Sequence, residues 1–299
     1  MSANIIPTHQ VEQYNSTIEL LVQQKGSRFR GTMREMTAVG SQMSPVDQIG
    51  TIEASEVTAR FAPLVRTDAP TDRRWCLPRD FHVTQMVDSF DKLRTLTDPE
   101  GALVQSAVYA LGRKLDDVVV DAFFGTALTG TRGGTSTTFP AGQQVAVNFR
   151  ASTDIGLSCA KIIRAKKILM ANEVDLLSDT LYIAVDANQH EKLLSEMPII
   201  SREFNSMPAL DGDGMITRWL GFRFIHSERL DVDSNSDKLV PAWAKSGMAQ
   251  VFWNSLYSSV DRRIDLSSQP WQAYNKWTFG STRIEEKKVV QVICDPSTT

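Results

Sequence analysis

One long amphipathic helix near residue 100 restricts the fold of this chain more than any other feature. Asp98 is a favourable N-cap, and Pro99 suits the first helical position. Apolar residues then follow at helical spacing: Val104, Ala107, Val108, Leu111, Leu115, Val118, Val119 and Ala122. A helix from Pro99 to Phe124, ended by Gly125, would be about 39 Å long. Such a length is unusual in a globular enzyme. It favours an elongated structure that the helix supports.

Composition limits the class of protein. The 299 residues are 42% apolar and 22% charged, which predicts a globular chain of one large domain or two modest ones. The net charge of −3 excludes a global basic field that would attract nucleic acid. We expect no signal peptide and no membrane span, because no apolar run approaches about 20 residues. Cys76, Cys159 and Cys294 lie far apart, which predicts reduced thiols in a cytosolic protein.

The residues before the long helix predict an arm and a hairpin. Helical spacing predicts a helix over residues 9–25, with the apolar stripe Val11, Tyr14, Ile18, Leu21 and Val22. The opening forty-odd residues hold too little apolar surface for a core of their own, so we expect the arm to dock on something else. Residues 47–83 alternate like strands around a charged, proline-containing turn. A long charged hairpin of this kind is expected to project across a neighbouring subunit.

The residues after the long helix predict a compact α+β region. Residues 125–142 are rich in glycine and threonine and predict a flexible linker. Helices are predicted over residues 157–170 and 189–196. Strands are predicted over residues 181–187, 222–226, 241–246, 258–265 and 277–294. This alternation is typical of an α+β domain of about a hundred residues.

No motif predicts catalysis, a cofactor or a metal ion. The histidines are far apart in sequence and form no H-E-x-x-H pair: His9, His82, His190 and His226. No G-x-S-x-G is present, and the glycine-rich stretch lacks the G-K-[ST] ending of a phosphate loop. The loop from Asp231 to Asp237 alternates like a calcium loop, but Ser236 and Ala242 occupy the positions of the required Gly and Glu. Two interpretations remain open for this loop: a solvated turn, or a weak binding site for a divalent cation. Asp211 and Asp213 are a second candidate for such weak cation binding.

Two charged clusters predict binding to other molecules. The first mixes both signs around a tryptophan, which favours ion pairs between proteins; its residues are Arg66, Asp68, Asp72, Arg73, Arg74 and Trp75. The second is almost purely basic and includes Lys25, Arg28, Arg30 and Arg34. This second cluster could face packaged DNA through counterion release, or it could be a solvated basic segment.

Several stretches resemble the major capsid proteins of tailed double-stranded-DNA bacteriophages. They are VEQYNSTIELLVQQKGSRFRG, TDAPTDRRW, DSFDKLRTLTDPEG, RAKKILMANEVDL, WAKSGMAQVFWN and FGSTRIEEKKVVQV. The resemblance covers essentially the whole chain, and its weight comes from the number and order of the stretches. It implies an α+β, HK-ninety-seven-like phage capsid fold with an N-arm, an E-loop hairpin, a P-domain with a spine helix, and an A-domain.

Carried onto this sequence, the resemblance implies an N-arm at 1–46 and an E-loop at 47–83. The P-domain would take residues 84–150 and 251–287, with the spine helix at about 98–124, and the A-domain residues 151–250 and 288–299. The first charged cluster would form the tip of the E-loop at a subunit interface. The acidic loops would lie at the capsomer axis and supply Asp211, Asp213, Asp231 and Asp233.

The resemblance implies a protein that self-assembles into homo-pentamers and homo-hexamers of an icosahedral capsid. The virion shell would form in the bacterial host cytoplasm, enclose double-stranded DNA by non-specific contact and need no cofactor. Because no long segment precedes the arm, a separate scaffolding protein is expected, with a portal protein and a decoration protein as further partners. An encapsulin-like compartment shell, a soluble α+β enzyme and a nucleic-acid-binding module are the alternatives.

Overall fold

The computed structural model describes residues 23–40, 42–57, 59–60, 66–87, 100–196, 210, 214–267 and 269–296. Three α-helices lie in this described part: α1 (Glu100–Phe124), α2 (Cys159–Ala171) and α3 (Ala187–Ser195). The first seven strands are β1 (Arg34–Thr37), β2 (Ser44–Ile49), β3 (Thr71–Cys76), β4 (Arg79–Val87), β5 (Ala127–Thr129), β6 (Thr135–Thr137) and β7 (Gln144–Val145). The other eight are β8 (Leu181–Val185), β9 (Arg218–Trp219), β10 (Phe222–His226), β11 (Lys238–Ala244), β12 (Met248–Phe252), β13 (Tyr257–Arg262), β14 (Trp271–Arg283) and β15 (Val289–Cys294).

These elements confirm the predicted α+β class. Two compact units divide the described residues. The smaller unit contains residues 23–27, 80–87, 100–114, 255–267 and 269–278, and the larger unit contains the rest. Helix α1 contributes its first part to the smaller unit and its last part to the larger one. None of the described helices is both long and apolar enough to cross a membrane.

The smaller unit combines a β-sheet with the first part of α1. Strand β13 pairs antiparallel with β14, from Tyr257 opposite Lys276 to Arg262 opposite Trp271, and β4 also pairs with β14. The chain before residue 28 runs along α1 at Gly112. A Cβ atom at this position would lie 2.7 Å from backbone atoms of residue 26, so glycine is required for the close approach.

A six-stranded sheet forms the centre of the larger unit, in the order β7-β15-β11-β8-β10-β9. All five residues of β8 are buried, as expected for a strand covered on both faces. Helices α2 and α3 begin where side chains cap them: the Ser158 hydroxyl accepts from Lys161 N, and the Asp186 carboxylate accepts from Gln189 N at 2.8 Å. The predicted helices and strands of this region are confirmed, with shifts of a few residues at their ends.

Residues of the basic arm dock on the main core of the larger unit. Phe29 and Met33 are almost completely buried, and the Phe29 ring lies 6.1 Å from Phe123 and 5.9 Å from Trp243. The Trp243 indole nitrogen donates to the Thr32 carbonyl oxygen at 3.2 Å. The described part of the arm therefore docks on a core that distant parts of the chain build, in line with the expectation that it has too little apolar surface for a core of its own.

The predicted hairpin is present, and it belongs to a four-stranded sheet in the order β2-β3-β5-β6. Strands β2 and β3 pair antiparallel, from Ser44 opposite Cys76 to Ile49 opposite Thr71. The stretch at 125–142 is not a flexible linker, because it supplies β5 and β6 to this sheet. The predicted single strand at 277–294 is two strands, β14 and β15, separated by a 3-10 turn at Glu286–Lys288.

One predicted helix lies mostly outside the described residues, and one observed strand was not predicted. The helix predicted over residues 9–25 lies outside the described residues except for 23–25, which are not helical. Strand β12 was not predicted, although it is central in its sheet, where β1 pairs with it in parallel and β14 pairs with it antiparallel. Its sequence, MAQVF, is too short and too mixed to give a periodic signal.

Candidate assembly surfaces

The charged hairpin presents exposed ion pairs. Arg66 and Asp68 pair at 2.8 Å with side chains that are 85% and 71% exposed. The Asp72 carboxylate accepts from Arg73 N at 2.7 Å. Arg73 also donates through Nε to the Asp47 carboxylate, and this hydrogen bond raises the pKa of Arg73. These four members of the predicted cluster therefore offer charges at the surface of the subunit.

The other two members of that cluster form hydrogen bonds within their own subunit. Arg74 is buried and donates through Nη2 to the Glu286 carboxylate at 2.7 Å. The half-buried Trp75 donates through Nε1 to the Gly130 carbonyl oxygen at 2.6 Å. Successive residues of a strand point to opposite faces, so the two adjacent arginines of β3 have different surroundings. Arg74 and Trp75 thus hold the base of the hairpin within their own chain.

A second arginine, Arg283, completes a buried cluster around the same carboxylate. Its Nε lies 3.4 Å from Glu286 Oε1, and its Nη1 donates to the carbonyl oxygens of Phe123 and Gly125 at 2.7 and 2.9 Å. A cation is favourable at this C-terminal end of helix α1. Burial lowers the pKa of Arg283. Sequence spacing did not reveal the cluster, because Arg74 and Glu286 are 212 residues apart.

The basic residues of the arm are exposed. Lys25 belongs to the smaller unit, while Arg28, Arg30 and Arg34 belong to the larger unit. The Arg30 guanidinium lies 5.6 Å from the centre of the Phe252 ring. The structure therefore keeps these four cations at the surface, although the backbone between them enters the core at residue 29.

Asp116 of helix α1 anchors the arm, although no sequence pattern predicted this role. This fully buried carboxylate accepts from Arg28 N at 2.9 Å and from Phe29 N at 3.4 Å. A carboxylate that receives backbone N–H groups in a buried setting forms strong, charge-assisted hydrogen bonds. The path of the arm at this point is therefore set by helix α1.

The loop at 231–237 is a turn held by its own acidic residues. The Asp233 carboxylate accepts from Asn235 N at 2.8 Å and from Asp237 N at 3.0 Å. Across the described residues, no group of three or more His, Cys, Asp or Glu side chains is arranged to hold a metal ion. Two of the residues predicted for the capsomer axis lie outside the described residues: Asp211 and Asp213.

A two-pronged ion pair fixes the base of this loop. Arg229 donates through Nε and Nη2 to the two carboxylate oxygens of Asp117, at 2.6 and 2.7 Å. This geometry is the most specific that an arginine can form with a carboxylate. The pKa of Asp231 is raised by burial and then by the nearby carboxylates of Asp121 and Asp117. The loop is thus held against helix α1 and carries a concentrated negative charge.

The three histidines among the described residues each contact a neighbouring side chain or backbone group. His190 accepts through Nε2 from Ile216 N at 3.1 Å, and burial followed by the charge of His226 lowers the pKa of His190. His226 pairs with Glu228 at 2.8 Å. His82 lies beside a tyrosine ring, and His9 lies outside the described residues.

The three cysteines are free and buried. Burial raises the pKa of Cys76 and of Cys294 to about 12, and it also raises the pKa of Cys159. A thiol reacts as its thiolate, so none of these groups is an activated nucleophile.

Comparison with known proteins identifies the class. The chain is similar to the capsid subunit of cyanophage Pam1, with a TM-score of 0.75, 11% identity and 100% of each chain covered. It is similar to the capsid subunit of cyanophage P-SCSP1u, with a TM-score of 0.73, 14% identity, and 97% of this chain and 94% of that chain covered. The capsid subunit of Ralstonia phage GP4 matches with a TM-score of 0.72, 12% identity and both chains fully covered. The fold is therefore that of tailed-phage capsid subunits, as the resemblance implied.

The sequence profile of the phage capsid protein family matches residues 6–296. The chain belongs to this family, and it is a major capsid protein with a structural role in the shell of the virion. A search of curated proteins found no match. The alternative of an encapsulin-like compartment shell is not favoured, because the family that matches is one of phage capsid proteins.

Proposed function

We propose that this protein assembles into pentamers and hexamers that form a closed icosahedral shell around a double-stranded DNA genome. The observation that carries the proposal is the match of a phage capsid family over residues 6–296, which leaves almost no part of the chain for another activity. Symmetric closure combines many weak contacts into a stable particle. Catalysis has no part in this function.

We assign the segments as the resemblance implies. The N-arm is 1–46 and the E-loop is 47–83. The P-domain is 84–150 with 251–287, and the A-domain is 151–250 with 288–299. Helix α1 is the spine helix of the P-domain.

The E-loop contacts a neighbouring subunit in this proposal. Support comes from apolar side chains near the hairpin that the subunit does not cover: Ile49, Ile52 and Val57 are 77%, 58% and 81% exposed. Such residues, rimmed by charged ones, mark protein interaction surfaces. The exposed charges of Arg66 and Asp68 then set the register of the contact, while Arg74 keeps the hairpin base in place.

The charges of the basic arm and of the acidic loop support our assignments of these two surfaces. The exposed arm cations, Lys25, Arg28, Arg30 and Arg34, face the packaged DNA and bind its phosphates without sequence preference. The acidic loop with Asp231 and Asp233 lies at the capsomer axis. A shell of this kind also takes a separate scaffolding protein, a portal protein and a decoration protein as partners, and it assembles in the cytoplasm of the bacterial host.

Sedimentation velocity tests the E-loop contact. We expect the wild-type chain to form large closed assemblies and Val57→Asp to remain as small species, because an exposed side chain is changed at an interface rather than in the core. Leu177→Asp is the matched control, since Leu177 is fully exposed outside the hairpin. Equal assembly of Val57→Asp and wild type would refute the E-loop contact.

A further inference from the structure

An apolar groove lies on the larger unit, between helix α2 and the turn that joins β9 to β10. Six residues line it: Ile163, Lys166, Lys167, Met170, Ala171 and Leu220. Ile163 and Met170 are 50% and 57% exposed, although they lie at helical spacing on one face of α2. A helix of a soluble subunit normally presents polar residues on such a face, so this surface is built to be covered.

The turn between β9 and β10, which lies beside α2, also forms part of this groove. Leu220 has φ +50°, and Gly221 has φ +87°, in a two-residue hairpin turn that favours asparagine followed by glycine. Leucine is an unfavourable choice for the left-handed conformation. Its side chain nevertheless forms one wall of the groove, and Lys166 Nζ donates to its carbonyl oxygen at 2.9 Å. Leu220 therefore takes a left-handed position in the turn and also lines the groove.

The charged residues that line the groove, Lys166 and Lys167, are both positive. Helix α2, CAKIIRAKKILMA, contains no acidic residue, and Arg164, Lys166 and Lys167 lie on its exposed side. None of these three cations forms an ion pair with a carboxylate among the described residues. An apolar groove with an unneutralised basic rim favours an amphipathic helix that carries acidic residues.

The N-terminal segment of this chain has that composition. Residues 1–24 contain Glu12 and Glu19 and no lysine or arginine. The predicted helix places both glutamates on one side of the stripe formed by Val11, Tyr14, Ile18, Leu21 and Val22, because they are seven residues apart. The stripe from Val11 to Val22 would be about 18 Å long, and α2 is about 20 Å long. The two helices therefore match in length, in apolar character and in charge.

We propose that residues 9–22 of one subunit bind the α2 groove of a second copy. This inference rests on the proposed function, since only an assembly supplies a second copy at high local concentration. Ile18 and Leu21 would cover Ile163 and Met170, and Glu19 would face Lys167. The contact would add an arm-to-A-domain connection between neighbouring subunits to the E-loop contact.

Disulfide trapping in assembled shells tests the proposal directly. Shells are co-assembled from two variants, Ile18→Cys and Met170→Cys, and disulfide-linked dimers are measured by non-reducing electrophoresis after mild oxidation. The three native cysteines are buried, so the introduced thiols are the reactive ones. Ser16→Cys replaces Ile18→Cys as the matched control, because Ser16 lies opposite the apolar stripe of the predicted helix.

We expect Ile18→Cys to give at least a tenfold higher yield of dimer than Ser16→Cys. If the two variants gave equal dimer yields in assembled shells, the arm contact would be overturned, while the shell function would stand. If the wild-type chain formed no shells when co-expressed with a scaffolding protein, the proposed function would be overturned, and the arm contact with it. A Met170→Cys cross-link to a co-expressed scaffolding protein would identify a different occupant and would also overturn the proposal.

Charge reversal provides a second, independent test in the same shells. Lys167→Glu should lower the dimer yield about tenfold, because it places two carboxylates together. Adding Glu19→Lys to the arm variant should restore most of the yield. Lys167 is exposed, so its replacement leaves the fold unchanged. A yield that is insensitive to both changes would contradict the predicted pairing.

Discussion

Removing the charge of Glu286 should strongly destabilise the subunit. This carboxylate is the acidic partner of Arg74 and Arg283, whose side chains are only 7% and 0% exposed. Glu286→Gln would leave two buried guanidinium groups without a counter-charge, and breaking a buried ion pair typically costs about 3–5 kcal/mol. Because Glu286 is itself 16% exposed, water compensates in part. We expect the free energy of unfolding to fall by about 3 kcal/mol.

Urea unfolding of the unassembled subunit, followed by tryptophan fluorescence, measures this loss. Glu285→Gln is the matched control, because the half-exposed Glu285 pairs with Lys288 at 3.2 Å. Exposed pairs contribute about 0–1 kcal/mol. If Glu286→Gln lowered the free energy of unfolding no more than Glu285→Gln does, the buried cluster would not hold the hairpin base as described.

Three further predictions follow from the buried groups. Asp116→Ala removes the acceptor of the Arg28 and Phe29 amides, so hydrogen exchange at these two amides should accelerate at least tenfold; unchanged protection would refute the anchor. Trp243→Ala should lower the free energy of unfolding by about 3–5 kcal/mol in urea titrations, as expected for a large aromatic core residue. The pKa of Cys294 is raised to about 12 in the folded chain and is close to 8.5 when unfolded, so the unfolded chain loses its proton first. Stability should therefore decrease between about pH 9 and pH 12, and this decrease should be smaller in Cys294→Ala.

Much of the fold could be predicted from periodic patterns. Helix α1 was predicted to within one residue at its start and with its observed end, because its apolar stripe from Val104 to Ala122 continues for about five turns. Strand β10 was predicted with its observed bounds, Phe222–His226, since a short apolar run is followed by a polar loop. Strands β5 and β6 were missed because each has only three residues and glycines, which are depleted in strands, lie between them. Strand β5 is stabilised by pairing with β3, more than fifty residues earlier, and β6 by pairing with β5.

The candidate surfaces could be predicted only in part. Charge patterning found the exposed pairs of the hairpin, where local sequence decides the surroundings. It did not separate Arg73 from Arg74, because which arginine is buried depends on Glu286 and on the end of helix α1. The α2 groove was also missed, since its leucine wall comes from a hairpin turn about fifty residues after the helix. Contacts between distant parts of the chain have no signature in a single sequence.

Electron microscopy of the purified chain, co-expressed with a scaffolding protein, tests the central claim most directly. The account predicts closed shells of uniform size, with pentameric and hexameric capsomers into which the described fold fits. Particles should also protect double-stranded DNA from nuclease when packaging proteins are present. A chain that stays monomeric under these conditions, with no capsomers in the images, would contradict the account.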